Sequence, residues 1–336
     1  MKRILSLIAI AAAAVAAISC SCAPKKALLP TISGKAGEVI VIINKPDWEG
    51  ALGNELRELL ASDCPFLPQK EPLYTLVDIV PSAFTNIFQI HRNILIVNIS
   101  RDVTDPGVVY LKDVWAQPQC VINVNAPDSE TALELIKKNS DMILNTIEQA
   151  ERDRIITNSK KYEERSIAPV VTAFIGGSPH FPTGFSIKKQ TSDFIWIGYE
   201  TTYVQEGFFV YKYAAKGDAD DFKIENIVAK RNEVLKDNVP GMFENTYMTT
   251  SDVTTPGLEF IRYKGRDFAE VHGYWDVHND YMGGPFVSHT FYSKDGKYLI
   301  VLEGYVYAPR YDKRHYMREV ESILYSFEWA SDNEKK

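Results

Sequence analysis

The segment Glu270-Val271-His272-Gly273-Tyr274-Trp275-Asp276-Val277-His278 is the part of this chain best stocked for chemistry. Carboxylates next to imidazoles supply general acid–base pairs or metal ligands. If the segment is a strand, Glu270, His272, Tyr274, Asp276 and His278 share one face, and Val271, Gly273, Trp275 and Val277 share the other. His272 and His278 then stand about 20 Å apart at about 3.3 Å per residue, whereas zinc ligands sit about 2 Å from their ion. One metal cannot hold both unless the strand breaks. Glu270 with His272, or Asp276 with His278, supplies two ligands, and the rest must come from elsewhere. The alternative reading is a solvated sheet face carrying charge pairs.

The next residues, Asn279-Asp280-Tyr281-Met282-Gly283-Gly284-Pro285, form a second candidate. Two glycines before a proline permit close backbone approach by a ligand, so Asp280, Gly283 and Gly284 join the candidate contacts; a plain bend between two long strands is the alternative. Ile175-Gly176-Gly177-Ser178-Pro179-His180 has neither a phosphate-loop nor a dinucleotide fingerprint, and Ser178 is not in a nucleophile elbow. Asp218, Asp220 and Asp221 lack the glycine and terminal glutamate of a calcium loop, with Ala229 at the twelfth position, and read as a helix cap. The tyrosines suit a glycan or peptide platform, or cross-strand packing. No catalytic residue, metal site or cofactor is expected.

These residues need elements to hold them. Residues 38–43 are an apolar strand, and Pro46-Asp47-Trp48 opens a helix with Trp48, Leu52, Leu56 and Leu59 on one face. Strands follow at 73–80 and 93–99, then a short helix near 105–114 and a strand at 119–125. A long helix starts at Pro127-Asp128-Ser129, and the charged run 151–165 carries it outward as a connector between domains. This order predicts a ferredoxin-like βαββαβ region with an added long helix over 36–165. Beyond it the composition changes: 15 of the 18 tyrosines lie past residue 170, and turn signals become regular. Strands are predicted at 185–189, 194–199, 207–213, 246–250, 258–263, 267–278, 286–293 and 298–306, with helices at 218–236 and 313–327. The expectation is an α+β chain whose second domain, 166–330, is mainly antiparallel, followed by a disordered tail at 331–336.

The 336 residues are 45% apolar and carry a formal charge of −7, enough for two filled cores and the wrong sign for a nucleic-acid surface. Lys2-Arg3, an apolar run from Ile4 to Ile18 and Ser19-Cys20 have the order of a secretory leader. The run is shorter than a membrane span requires. Ala17-Ile18-Ser19-Cys20 resembles the bacterial lipobox, with Ala17 where leucine is usual, and implies cleavage after residue 19 and lipidation of Cys20. Cys22 is the rival. Residues 20–35 then form a lipid-anchored linker. Without Lys2 and Arg3 the mature chain has 35 basic and 44 acidic residues, formally −9. In an oxidising compartment Cys64 and Cys120 can pair or stay as two buried thiols.

Gly273-Tyr274-Trp275, the run from Asn279 to Ser288, Gly304-Tyr305-Val306-Tyr307-Ala308-Pro309 and Lys313-Arg314 together resemble the DUF4837 lipoproteins of Bacteroidetes, a family of unknown function. Trp48-Glu49-Gly50, Leu67-Pro68-Gln69 and Arg92-Asn93-Ile94 fit upstream, extending the likeness over nearly the whole mature chain. The resemblance implies location and architecture and transfers no active site. No acidic cluster follows Cys20, which in such lipoproteins implies the periplasmic rather than the exposed face. The expected partners are the outer membrane, through lipid on Cys20, and an envelope protein, glycan or peptide, with no nucleic acid. A binding or assembly module is the leading expectation; an envelope hydrolase using the 270–278 face is the alternative.

Overall fold

The run EVIVI is apolar on both strand faces, which calls for cover on both sides of its sheet. The structure, a computed structural model, describes residues 28–330. The expected leader, Cys20, Cys22 and the tail at 331–336 lie outside those residues. In chain order the first domain contains β1 (Glu38–Ile42), α1 (Lys45–Glu49), α2 (Ala51–Ala61), β2 (Thr75–Ile79), α3 (Asn86–Gln89), β3 (Asn93–Ile99), β4 (Gly107–Lys112), β5 (Cys120–Ala126), α4 (Ser129–Lys138) and α5 (Ser140–Lys161).

The strand order is β2-β1-β3-β5-β4. β1 runs parallel to β2 and β3, and β3 parallel to β5, with only β4 antiparallel. The ferredoxin-like expectation is therefore corrected to a mostly parallel sheet. Val39, Val41, Leu95 and Ile122 pack under Leu52, Leu56 and Leu60 of α2, Ile136 of α4 and Ile143 of α5. On the reverse face Ile40, Ile42, Ile94 and Val121 are covered by Phe84, Phe88 and Trp115. Parallel strands of one sheet need crossover connections, and the one that leads from β2 past β1 to β3 carries a helix of only four residues, α3, too short to leave a periodic signal. The helix expected near 105–114 is the strand β4, whose Val108, Val109 and Tyr110 favour extended backbone.

The predicted long helix is two helices. α4 starts on an Asp128 cap, which accepts the Thr131 N–H at 2.8 Å, and ends at Asn139, whose amide donates back to the Leu135 carbonyl. α5 does not lead outward: Glu151 and Ile156 are buried. A further helix, α6 (Ile167–Ile175), unpredicted from sequence, connects to the second domain.

That domain contains β6 (Gly177–Ser178), β7 (Ser186–Gln190), β8 (Phe194–Glu200), β9 (Gln205–Ala214), α7 (Ile224–Asn238), β10 (Tyr247–Thr250), β11 (Gly257–Tyr263), β12 (Arg266–His278), β13 (Gly283–Tyr292), β14 (Tyr298–Tyr307), α8 (Arg314–Tyr325) and β15 (Glu328–Trp329). Its eight-stranded antiparallel sheet runs β10-β12-β13-β14-β9-β8-β7, with β11 on the first half of β12. The α+β, two-domain expectation holds. α8 and α6 cover one face through Val320, Ile323, Val171 and Ile175; α7 covers the other through Ile227 and Leu235, which meet Trp275 and Phe286. The proposed Cys64–Cys120 bond is not formed: both thiols are free, Cys64 against the second core and Cys120 in the first.

Charged residues join the domains. Arg152 of α5 meets Glu321 of α8 at 2.8 Å, and Arg318 meets Glu148 at 3.2 Å. Glu71 accepts the Lys313 and Arg314 N–H groups at 2.7 and 2.8 Å, capping α8 from the other domain. Arg152, in the charged run read from sequence as an outward connector, lies in this seam.

Candidate functional site

β12 keeps its alternation, but its polar face is not a single solvated surface. Val271, Trp275 and Val277 enter the core under α7. On the opposite face Glu270 is buried, His272, Tyr274 and Asp276 are half-buried, and only His278 is exposed. Three separate environments result.

Glu270 sits beneath α8. It accepts from His289 Nε2 at 2.9 Å and meets His272 Nε2 at 3.2 Å, and the Tyr325 hydroxyl bonds to it as well. Burial alone would raise the Glu270 carboxyl, but hydrogen bonds and charge from His272 and His289 hold it well below the usual carboxylate range. Burial pushes His289 down to about 4 against the pull of Glu270. For His272 burial acts downward, yet its bond to Glu270 and the charges of Glu321, Glu270 and Glu259 leave it above the ordinary imidazole value. Arg266 lies 4.7–4.8 Å from the rings of Phe268, Phe291 and Phe327, and burial lowers it to about 10.

A carboxylate on an imidazole is the orienting half of a hydrolytic triad. Here the His289 ring is wholly buried, 4.1 Å from Phe268 and 4.8 Å from Tyr325, and its Nδ1 has no hydrogen-bond partner. A substrate has no route to it. His272 stacks on Phe66, and the Tyr274 hydroxyl donates to the Leu67 carbonyl at 2.7 Å; both side chains are engaged by the first domain. Sequence reasoning missed Arg266, at the start of β12 itself, and His289 and Tyr325, which come from β13 and α8.

Asp276, His278 and Asp280 do come together, in a polar depression of about 480 Å³ with Asn232, Thr249, Thr250, Asp252 and Asn279. His278 stacks on Tyr247, and Asp280 accepts the Tyr281 N–H. Below it, Arg231 binds Glu303 through two bonds of 2.9 and 2.7 Å and donates to Thr250. Arg231 falls between Ile227 and Leu235 on the inner stripe of α7, a spacing that marks it as buried. Among the described residues no cluster of His, Cys, Asp and Glu is arranged to hold a metal ion.

Gly283 and Gly284 are not a ligand loop but the first residues of β13, opposite Asp276 and Trp275. A Cβ on Gly284 would lie 2.2 Å from the Val306 carbonyl oxygen. A larger concavity than this depression lies elsewhere, an apolar groove of about 650 Å³ between β4 and α5, bounded by Tyr110, Leu111, Cys120, Met142 and Ala150 among others.

Residues 164–326 match the family model described as a domain of unknown function, DUF4837. The second domain belongs to the DUF4837 family. Residues 32–160 match a different model, DUF8532, also a domain of unknown function, so the likeness read along nearly the whole chain divides between two families. The motif residues of the DUF4837 domain serve its architecture: Gly304 leaves room for Val320 of α8, and Lys313 bonds to Gln69 of the DUF8532 domain. In the latter, Arg92 and Asn93 both donate to the buried Glu151 at 2.7 Å. No curated protein matches the chain. A solved structure from Bacteroides thetaiotaomicron VPI-5482 is 10% identical over 47% of this chain, which spans 46% of that one, with a TM-score of 0.26; it carries no argument.

Proposed function

We propose that this chain is an envelope lipoprotein, held through lipid on Cys20 at the periplasmic face of the outer membrane, whose two domains bind or assemble with another envelope component rather than catalyse a reaction. The observation that carries the non-catalytic reading is the fate of the acid–base groups. Glu270 holds both His272 and His289, the His289 ring is wholly buried beneath α8, and His272 is stacked on Phe66 of the first domain. The groove between β4 and α5, in contrast, is apolar and open, as a binding surface requires. Several acyl chains on Cys20 would give stable attachment.

The test is metabolic labelling with an alkyne fatty acid, membrane fractionation and mild in-cell cross-linking of the tagged chain, beside Cys20→Ala. Label and membrane retention that vanish in the variant, with a near-stoichiometric envelope partner, are expected. An unlabelled, soluble chain refutes the anchor. The depression around Asp276, His278 and Asp280 favours the hydrolase alternative; glycan or peptide turnover abolished by Asp276→Asn would replace the binding reading.

A further inference from the structure

Sheet edges present unpaired N–H and C=O groups, and proteins guard them with charge, proline, brevity or cover. Three open edges here are guarded by charge: β2 carries Asp78, β7 carries Lys188 and Lys189, and β11 carries Glu259 and Arg262. β10 is only four residues long. β4 differs. It ends the five-stranded sheet, reads GVVYLK and has no charge before its last residue. On β4 Val109 and Leu111 are 45% and 37% exposed, and Met142, which lines the groove with Leu111, is 57% exposed.

The groove beside β4 has the dimensions of a strand. It follows α5 from Met142 to Thr157, about 22 Å at about 1.5 Å per residue, and a six-residue strand spans about 20 Å. Lys112 and Arg154 on its wall are balanced by Asp113 and Asp153, so the groove favours an uncharged, β-forming occupant. β4 is itself such a segment. We propose that β4 is a dimerisation strand: two copies of this chain join β4 to β4, antiparallel about Val109, into one ten-stranded sheet. Val109 then faces Val109, Gly107 faces Leu111, Val108 faces Tyr110, and Lys112 falls opposite Pro106, so no like charges face each other within the paired strands, and Asp105 and Asp113 come opposite only beyond their ends. The competing occupant is the segment before Leu28, since Pro30, whose carbonyl accepts the Gln117 N–H, thereby lies next to the groove residue Pro118. Residues 21–27 include Pro24, Lys25 and Lys26, a poor strand sequence.

Directly opposed residues in an antiparallel pair have Cα atoms about 4.5–5.5 Å apart, within disulfide reach. The full chain carrying Val109→Cys, oxidised in cells, should run as a covalent dimer on a non-reducing gel. Val253→Cys, more exposed than Val109 but remote from β4, should not. In sedimentation the purified wild-type chain should be a dimer and Val109→Lys a monomer with an unchanged circular dichroism spectrum; if Val109→Lys fails to fold, the cross-link alone decides. A wild-type monomer at tens of micromolar overturns the proposal, as the chain's own N-terminal segment covering β4 would produce. So does a dimer in which Val109→Cys forms no cross-link.

Discussion

Replacing His289 with glutamine should remove a defined part of the chain's acid sensitivity. The imidazole is wholly buried, hydrogen-bonded to Glu270, close to Arg266 and His272 and packed on Phe268 and Tyr325. Burial lowers it from the ordinary 6.5 to about 4. Between those values the unfolded chain holds a proton on residue 289 that the folded chain does not. Stability therefore rises with pH across that window, by about 3 kcal/mol at about 1.4 kcal/mol per pH unit. The neighbours act elsewhere. Glu270 is lowered, so its contribution is present above its unfolded value and lost as pH falls below that. His272 is raised, so its contribution is present below the ordinary imidazole value and lost as pH rises through the folded one. His315 is lowered by burial and by Arg314 and Arg318 and adds to the same window as His289, but it is common to both proteins and cancels in the difference. Urea unfolding at half-unit steps from about pH 4.5 to about pH 6.5, followed by tryptophan fluorescence, measures the two slopes. Glutamine loses the ring stacking and lowers stability at every pH; only the slope tests the reasoning. Equal slopes in the two proteins would refute it.

Arg231→Met should cost about 3–5 kcal/mol, because it strands the buried Glu303 carboxylate; adding Glu303→Leu should recover most of that loss in the same urea assay, and failure to recover any would show that the pair is not the cause. Glu151→Ala should cost a similar 3–5 kcal/mol by leaving Arg92, Asn93 and Arg154 without their common acceptor, read as a fall in the urea midpoint. Gly284→Ala should destabilise by about 1–3 kcal/mol through overpacking against Val306, measured by thermal melting. Glu71→Ala should cost about 1 kcal/mol and loosen the start of α8, seen as faster proteolysis near Lys313 without a change in overall secondary structure.

Local pattern determined a good deal of this protein. Alternation placed Val271, Trp275 and Val277 on the inward face of β12, and Asp128 marked the start of α4. The turn residues Ser293 and Asp295, joined by a hydrogen bond, lie between β13 and β14, where the strands predicted at 286–293 and 298–306 left a short gap. These features depend on neighbours a few residues away. The parallel order of the first sheet was not legible, because the same apolar runs serve either direction and the crossover helix α3 has only four residues. Nor was the burial of Glu151 and Glu270, since a charged side chain goes inside only when a partner from distant sequence meets it: Arg92 and His289 here. Periodicity records which face an element hides; it holds no information on which charges another element will bring to that face, and that pairing is what the tertiary structure decided.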